Sequence, residues 1–179
     1  MATFSCHFGG DLNARHSPDV GFRVINQSAL NEFLGKNDAQ RERRGIYVFA
    51  LKRKGPGAAL PFYVGKAGKT RFDTETFNRR NRRAFTAALF EGGGKPEIHL
   101  VTLHHSRGPI PLAAIDQLET LLIWVARHRN AALLNRRKID TSPFHLMQLF
   151  RNNTITGVLN TGSGNVHADA WRFREMMGL

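Results

Sequence analysis

Hydrophobic and polar positions change their period several times along the chain, and each change marks an element. Gly45-Ile46-Tyr47-Val48-Phe49-Ala50-Leu51 is an unbroken run rich in β-branched and aromatic residues, which predicts a strand. Lys52 to Pro61 holds two glycines and two prolines and reads as a loop, after which Phe62-Tyr63-Val64 resumes strand character. The two strands form a hairpin with a long connection. Glu97 to His104 is a third strand. Residues 75–90 follow helical spacing instead: Phe77, Ala84, Phe85 and Ala88 share one arc, with Arg79, Arg82 and Arg83 opposite. Gly92-Gly93-Gly94 and Pro96 stop that helix. The clearest helix covers 112–128. Shorter helices are predicted over 28–34, with Ser28 as N-cap, and from about His167 to Met177. Residues 1–27 show no clear period and read as loop with room for one short strand. Residues 35–44 are a polar connector, and a short apolar stretch runs from Pro143 to Phe150 before a segment rich in Gly, Asn and Thr. The order is that of a small α/β (α+β) domain around a short sheet.

One position breaks the pattern of helix 112–128. In projection Ile115, Leu118, Leu121, Leu122, Ile123, Val125 and Ala126 share an apolar arc, while Asp116, Gln117, Thr120, Arg127 and His128 lie opposite. Glu119 falls about 40° from Ile115, inside the apolar arc between Ala126 and Ile123. A carboxylate placed there needs a partner, because an unpaired buried charge costs several kcal/mol or titrates away. Two partners satisfy that need: an arginine from elsewhere in the core, or a cleft in which the carboxylate is a metal ligand or an acid/base group.

Charge sharpens the picture. The chain has 179 residues with 26 Lys and Arg against 14 Asp and Glu, a net charge of +12. The excess is clustered: residues 36–83 carry 14 basic and 4 acidic side chains, and Arg127, Arg129, Arg136, Arg137 and Lys138 form a second basic stretch without an acid. Clustered cations without matching acids point to a polyanion, nucleic acid first. At 41% hydrophobic the chain can bury a core, and no apolar run is long enough to span a membrane. The N-terminus has no apolar stretch of signal-peptide length, and the single cysteine, Cys6, can form neither an internal disulfide nor a cysteine-rich zinc site. A reducing, cytoplasmic setting is expected.

Two motifs are decoys. Gly65-Lys66-Ala67-Gly68-Lys69-Thr70 imitates the end of a nucleotide-binding P-loop, but Tyr63 stands where that motif requires its first glycine. Eight histidines are scattered along the chain, and none forms a metal pair with a supporting acid.

Gly45-Ile46-Tyr47 on one strand and Tyr63-Val64-Gly65 on the next resemble the paired tripeptides of the GIY-YIG nuclease family, with YVG in place of YIG. The resemblance covers roughly residues 45–137 and includes the basic helix, a helical glutamate and a downstream Leu134-Asn135. It implies a three-stranded antiparallel sheet flanked by helices, with a nuclease core over 41–140, an N-terminal extension over 1–40 and a C-terminal extension over 141–179 packed on that core. It further implies catalytic Tyr47, Tyr63, Arg71 and Glu119, with Gly45, Gly65, Lys66 and Asn135 in support and Glu119 as metal ligand. Arg79 and Arg80 are the alternatives to Arg71. Fifteen residues separate the two tyrosines, a few more than is usual in the family, and the surplus is the Gly/Pro-rich loop.

The expected chemistry is hydrolysis of DNA phosphodiester bonds, with RNA as the other possible substrate, through one divalent ion, Mg2+ or Mn2+. A metal on Glu119 would act as Lewis acid. Arg71 would clamp non-bridging oxygens, Tyr47 would be the general base with Lys66 favouring its phenolate, and Tyr63 would orient phosphate or water. Arg79, Arg82 and Arg83 would hold the backbone without reading sequence. The competing reading is a module of the same fold that binds nucleic acid without cutting it.

Overall fold

Strands with long apolar runs must be covered on both faces, and the two richest runs lie inside the sheet. The computed structural model describes residues 2–18, 21–105, 108–140, 153–156 and 168–179. In chain order it places β1 (Ala2–Asp11), β2 (Arg15–Ser17), β3 (Phe22–Val24), α1 (Gln27–Lys36), α2 (Asp38–Arg41), β4 (Gly45–Lys52) and β5 (Leu60–Ala67). Then follow α3 (Phe72–Glu75), α4 (Arg79–Gly92), β6 (Lys95–His104), α5 (Leu112–Arg129), β7 (Asn153–Thr156) and α6 (Ala168–Met177). The main sheet has the order β5-β4-β6-β1-β7, and β2 and β3 form a separate hairpin. Strands β5, β4, β6 and β1 pair antiparallel, while β7 runs parallel to β1.

Alternation along β4 divides the core in two. Ile46, Val48 and Ala50 face α5 and α6, where they meet Ile115, Leu118, Leu122 and Phe173. Tyr47, Phe49 and Leu51 face α1 and α4, where they meet Leu30, Phe33 and Phe85. The rings of Phe49 and Phe85 stack 4.3 Å apart and fasten α4 to the sheet. Among the described residues no helix is long and apolar enough to cross a membrane.

The sheet is wider than the three strands expected. Residues 2–11 form a full strand against β6, from Thr3 opposite His104 to Asp11 opposite Glu97. Phe4, fully buried in the α5/α6 layer, Cys6 and Phe8 alternate with Thr3, Ser5 and His7, a period-two pattern only six residues long that the Gly9-Gly10 pair ends. The segment therefore depends on pairing with a distant strand rather than on its own propensity. Similar corrections apply to two helices. Asn26, not Ser28, caps α1, accepting the Ala29 amide at 3.0 Å. The helix expected over 75–90 begins later and ends later: α3 stops at Glu75, and α4 runs from Arg79 to Gly92, capped by Asn78, whose side chain accepts the Asn81 amide at 2.9 Å. The apolar stretch 143–150 lies outside the described residues.

An unanticipated buried carboxylate pins α6. Glu97, 1% exposed, meets the His99 ring at 2.8 Å and Arg172 of α6 at 3.2 Å. Burial alone would raise the Glu97 carboxyl, but the hydrogen bond and charge of His99, with Arg172, hold it below its ordinary value. The Arg172 guanidinium lies 3.5 Å above the Phe8 ring.

Gly45 begins β4 at φ +148°, and a Cβ added there would lie 2.0 Å from the Val101 carbonyl oxygen of β6. Replacing Gly45 by Ala therefore forces apart the two central strands. Gly45→Ala is expected to destabilise the fold by roughly 3 kcal/mol or more. The readout is the urea-unfolding midpoint, and an unchanged midpoint would refute the steric account.

Candidate active site

β5 is the last strand of the sheet on its side, the two faces of the sheet meet at its outer edge, and a cleft of about 1280 Å³ opens there. Its walls are β5, α4, α5 and the segment after α5. Tyr47 enters from β4, directly opposite Gly65 on β5. A Cβ on Gly65 would sit 2.3 Å from both Cζ and Oη of Tyr47, so the glycine of the second tripeptide makes room for the tyrosine of the first. Tyr63 stands two residues away on the same face, and the two tyrosine rings are 6.2 Å apart.

Tyr47 is 1% exposed, and its hydroxyl oxygen accepts a hydrogen bond from the Asn81 side chain at 2.6 Å. Asn81 is itself held by the Glu75 carbonyl at 2.7 Å. Burial pushes the Tyr47 phenol well above its ordinary value, with Tyr63 and Glu75 adding to the rise. Burial also raises Tyr63, against the opposing charge of Arg80. The expected Tyr47 phenolate is thus disfavoured, and Lys66, assigned to stabilise it, is engaged elsewhere.

Lys66 projects from β5 to α5. Its ammonium pairs with Asp116 and lies 3.2 Å from Glu119 Oε2. Lys138 joins from the segment after α5, 2.6 Å from the same Glu119 oxygen and 2.8 Å from Asp116. Burial would lower Lys66, but its bonds to Asp116 and Glu119 override that and raise it. The bonds from Lys138 and Lys66 hold the Asp116 carboxyl below its ordinary range. The carboxylate inside the apolar arc of α5 is therefore met by two lysines at a cleft wall.

Asn135 occupies the outer side of β5. Its side chain accepts the Val64 amide at 2.9 Å and donates to the Val64 carbonyl at 2.8 Å. Nearby, the Leu134 amide bonds the Phe62 carbonyl and Asn130 bonds the Pro61 carbonyl, each at 2.8 Å. The segment 130–135 thereby covers backbone groups that an edge strand leaves open.

Tyr47, Tyr63, Gly65, Lys66, Glu119 and Asn135 line one cleft. Arg71 does not. It is turned toward Glu42 at 3.5 Å and Asp73 at 3.3 Å, just before α3. Arg80, one of its two alternatives, lines the cleft from α4. Arg79, Arg82 and Arg83 line a different groove, between α4 and the β2–β3 hairpin. Gly45 lies at the β4–β6 junction and acts through strand pairing. Asp116, Lys138 and Asn81 escaped the sequence reading. Asp116 sits one turn before Glu119 but on the polar arc, and Lys138 reaches the site from a left-handed backbone at φ 66° that composition does not reveal. The P-loop imitation fails here as well, since the helix after Lys69-Thr70 has four residues.

Asp116 and Glu119 present carboxylate oxygens to two ammonium groups at the cleft wall. Hard oxygen donors, few in number, suit Mg2+, which keeps several waters and uses one or two carboxylates. Among the described residues no three His, Cys, Asp or Glu side chains cluster as a metal cage. Two carboxylates are the kind of donor set that a sparsely ligated Mg2+ or Mn2+ uses. Compared with protein-family models, curated proteins and solved structures, the chain has no significant match.

Both tyrosines of the chain have raised phenols, so folding favours their neutral forms. Their contribution to stability is fully present below the unfolded value near 10 and is lost as pH rises through the folded values. A spectrophotometric titration at pH 10 should show little phenolate absorbance in the native protein and about half ionisation of both tyrosines in urea. Half ionisation in the native protein would contradict the burial account.

Proposed function

We propose that this chain is a divalent-metal-dependent endonuclease of the GIY-YIG type that hydrolyses DNA phosphodiester bonds. The observation that carries the reading is the meeting of Tyr47, Tyr63, Lys66, Arg80, Glu119 and Asn135 around one cleft. Two tyrosines on paired strands, a carboxylate on a helix, an arginine and a lysine can supply the orientation, ion binding and charge neutralisation of this hydrolysis, with the attacking water's proton passing to solvent, and Gly45 and Gly65 are explained by the same arrangement.

Glu119, with Asp116 beside it, would hold the ion. A divalent ion bound there supplies Lewis-acid neutralisation of the phosphate's charge. Arg80 replaces Arg71 as the guanidinium that holds the non-bridging phosphate oxygens. Tyr47, kept neutral by burial, donates its hydroxyl proton in a hydrogen bond while Asn81 fills its acceptor side. In this role it orients water or phosphate instead of acting as phenolate base. Tyr63, half-buried beside it, positions the same group from the open side. Lys66 and Lys138 balance the carboxylates and contribute positive charge toward the backbone of the nucleic acid.

A binding module that does not cut is the second reading. It is favoured by one observation, the engagement of Asp116 and Glu119 by two lysines, which satisfies both carboxylates without an ion. Supercoiled-plasmid nicking with Mg2+ and with EDTA separates the two. The wild type should nick only with Mg2+. Glu119→Gln should keep its melting curve and lose activity by several orders of magnitude. Arg80→Ala should lose roughly 100-fold or more, while Arg71→Ala stays near wild type. No Mg2+-dependent nicking by the wild type would leave the binding module, and an active, folded Glu119→Gln would remove Glu119 from the site.

A further inference from the structure

The groove between α4 and the β2–β3 hairpin has a composition unlike the cleft. Its apolar floor is Phe22, Ile25 and Phe90, and its cations are Arg79, Arg82 and Arg83, around a cavity of about 530 Å³. Phe90 is 70% exposed, which is unusual for a ring of that size on a helix that buries Phe85 and Leu89. The Phe22 and Phe90 rings meet edge to face at 5.3 Å, leaving ring surface toward solvent. The hairpin is anchored to the end of α4 by Arg23, which donates to the Gly94 carbonyl at 2.7 Å, so the aromatic pair has a fixed backing.

Charge narrows the occupant. None of the three arginines makes an ion pair among the described residues, Arg82 bonds only the neutral Gln27 side chain at 3.3 Å, and no acid lines the groove. Three guanidiniums beside exposed rings fit a ligand with both a flat π face and a phosphate. An apolar peptide would have to desolvate the arginines without compensation. A duplex offers phosphates but keeps its base faces stacked away from the protein. An unpaired nucleotide offers both, a base for Phe90 and a phosphate for the arginines. The groove also adjoins the cleft, since Ala87 lines both and Arg80 and Arg83 are one helical turn apart on α4.

We propose that this groove is a stacking subsite for an unpaired nucleotide, and that the substrate of the adjoining cleft carries a single-stranded segment beside the bond to be cut. The second half rests on the nuclease reading above, and the first does not. The subsite also gives the N-terminal extension a function, because Phe22 and Ile25 belong to it.

The test is fluorescence anisotropy in EDTA with a single-stranded DNA of about twelve nucleotides, the same RNA sequence, the matching DNA duplex and a polyglutamate peptide. Phe90→Ala should weaken single-strand binding about 10- to 100-fold and leave the duplex within about threefold. Phe90→Trp should retain single-strand affinity, and Phe90→Leu should not, because leucine keeps apolar area but has no π face. Melting curves should be unchanged, as the ring is exposed. The DNA and RNA arms identify which strand chemistry is preferred. Single-strand affinity that is indifferent to Phe90→Ala, rescue by leucine, equal loss on duplex, or polyglutamate displacing the strand through Phe90 would each overturn the subsite. Plasmid nicking is read separately. Phe90-dependent strand binding without nicking would sink the nuclease reading alone, and nicking with Phe90-independent binding would sink the subsite alone.

Discussion

The contact between the Tyr47 ring and the bare backbone of Gly65 sets the geometry on which the cleft depends. No side chain fits between them, so β4 and β5 can hold their register only with glycine at that point. That register places Tyr63 beside Tyr47 and sends Lys66 to the opposite face, toward α5. Gly45 does the corresponding work on the other side of β4, where the Val101 carbonyl leaves no space for a β-carbon. The two glycines are steric requirements of a closely paired sheet, and the tyrosines are placed by them.

Electrostatics completes what sterics begins. Two lysines from distant parts of the chain converge on two carboxylates one turn apart on α5. The group is partly open to solvent, so its worth to folding is modest. Its importance lies in arrangement: it draws the segment after α5 against the cleft and keeps the charge of Glu119 balanced within an otherwise apolar helix face. Any cation arriving at these carboxylates competes with ammonium groups already in contact with them.

Much of this was legible in the residues themselves. An unbroken apolar run marks β4, the Ile98, Leu100, Val101 and Leu103 cluster marks β6 and the helical period marks α5, while Glu119 stands out because it interrupts an apolar arc. The first strand was legible only as room for one short strand in residues 1–27: the Phe4, Cys6, Phe8 alternation is brief, and its full length and its place beside β6 come from long-range pairing. Which arginine faces the cleft was not legible, for a different reason. Arg71 is nearer in sequence to the second tripeptide, but it stands at the N-terminus of α3 and pairs with Glu42 and Asp73, whereas Arg80 lines the cleft from the first turn of α4. Chain separation alone does not decide which of two nearby arginines reaches a cleft. Lys138 was hidden because its reach depends on one left-handed backbone angle. The arginines of α4 were correctly read as one exposed face, whereas the aromatic floor beside them comes from residues far away in sequence.

Asn135 returns both hydrogen-bonding groups of Val64 with a single side-chain amide. An amide side chain has the same donor and acceptor as a peptide unit, so Asn135 imitates one residue of an additional strand and then stops. The outer edge of β5 is thereby closed to growth by another chain without the cost of building a further strand. Beyond Asn135 the polypeptide turns away and carries Lys138 to Glu119. The same amide, with the Leu134 amide and the Asn130 side chain, thus covers the sheet edge at the point from which the chain goes on to finish the cleft.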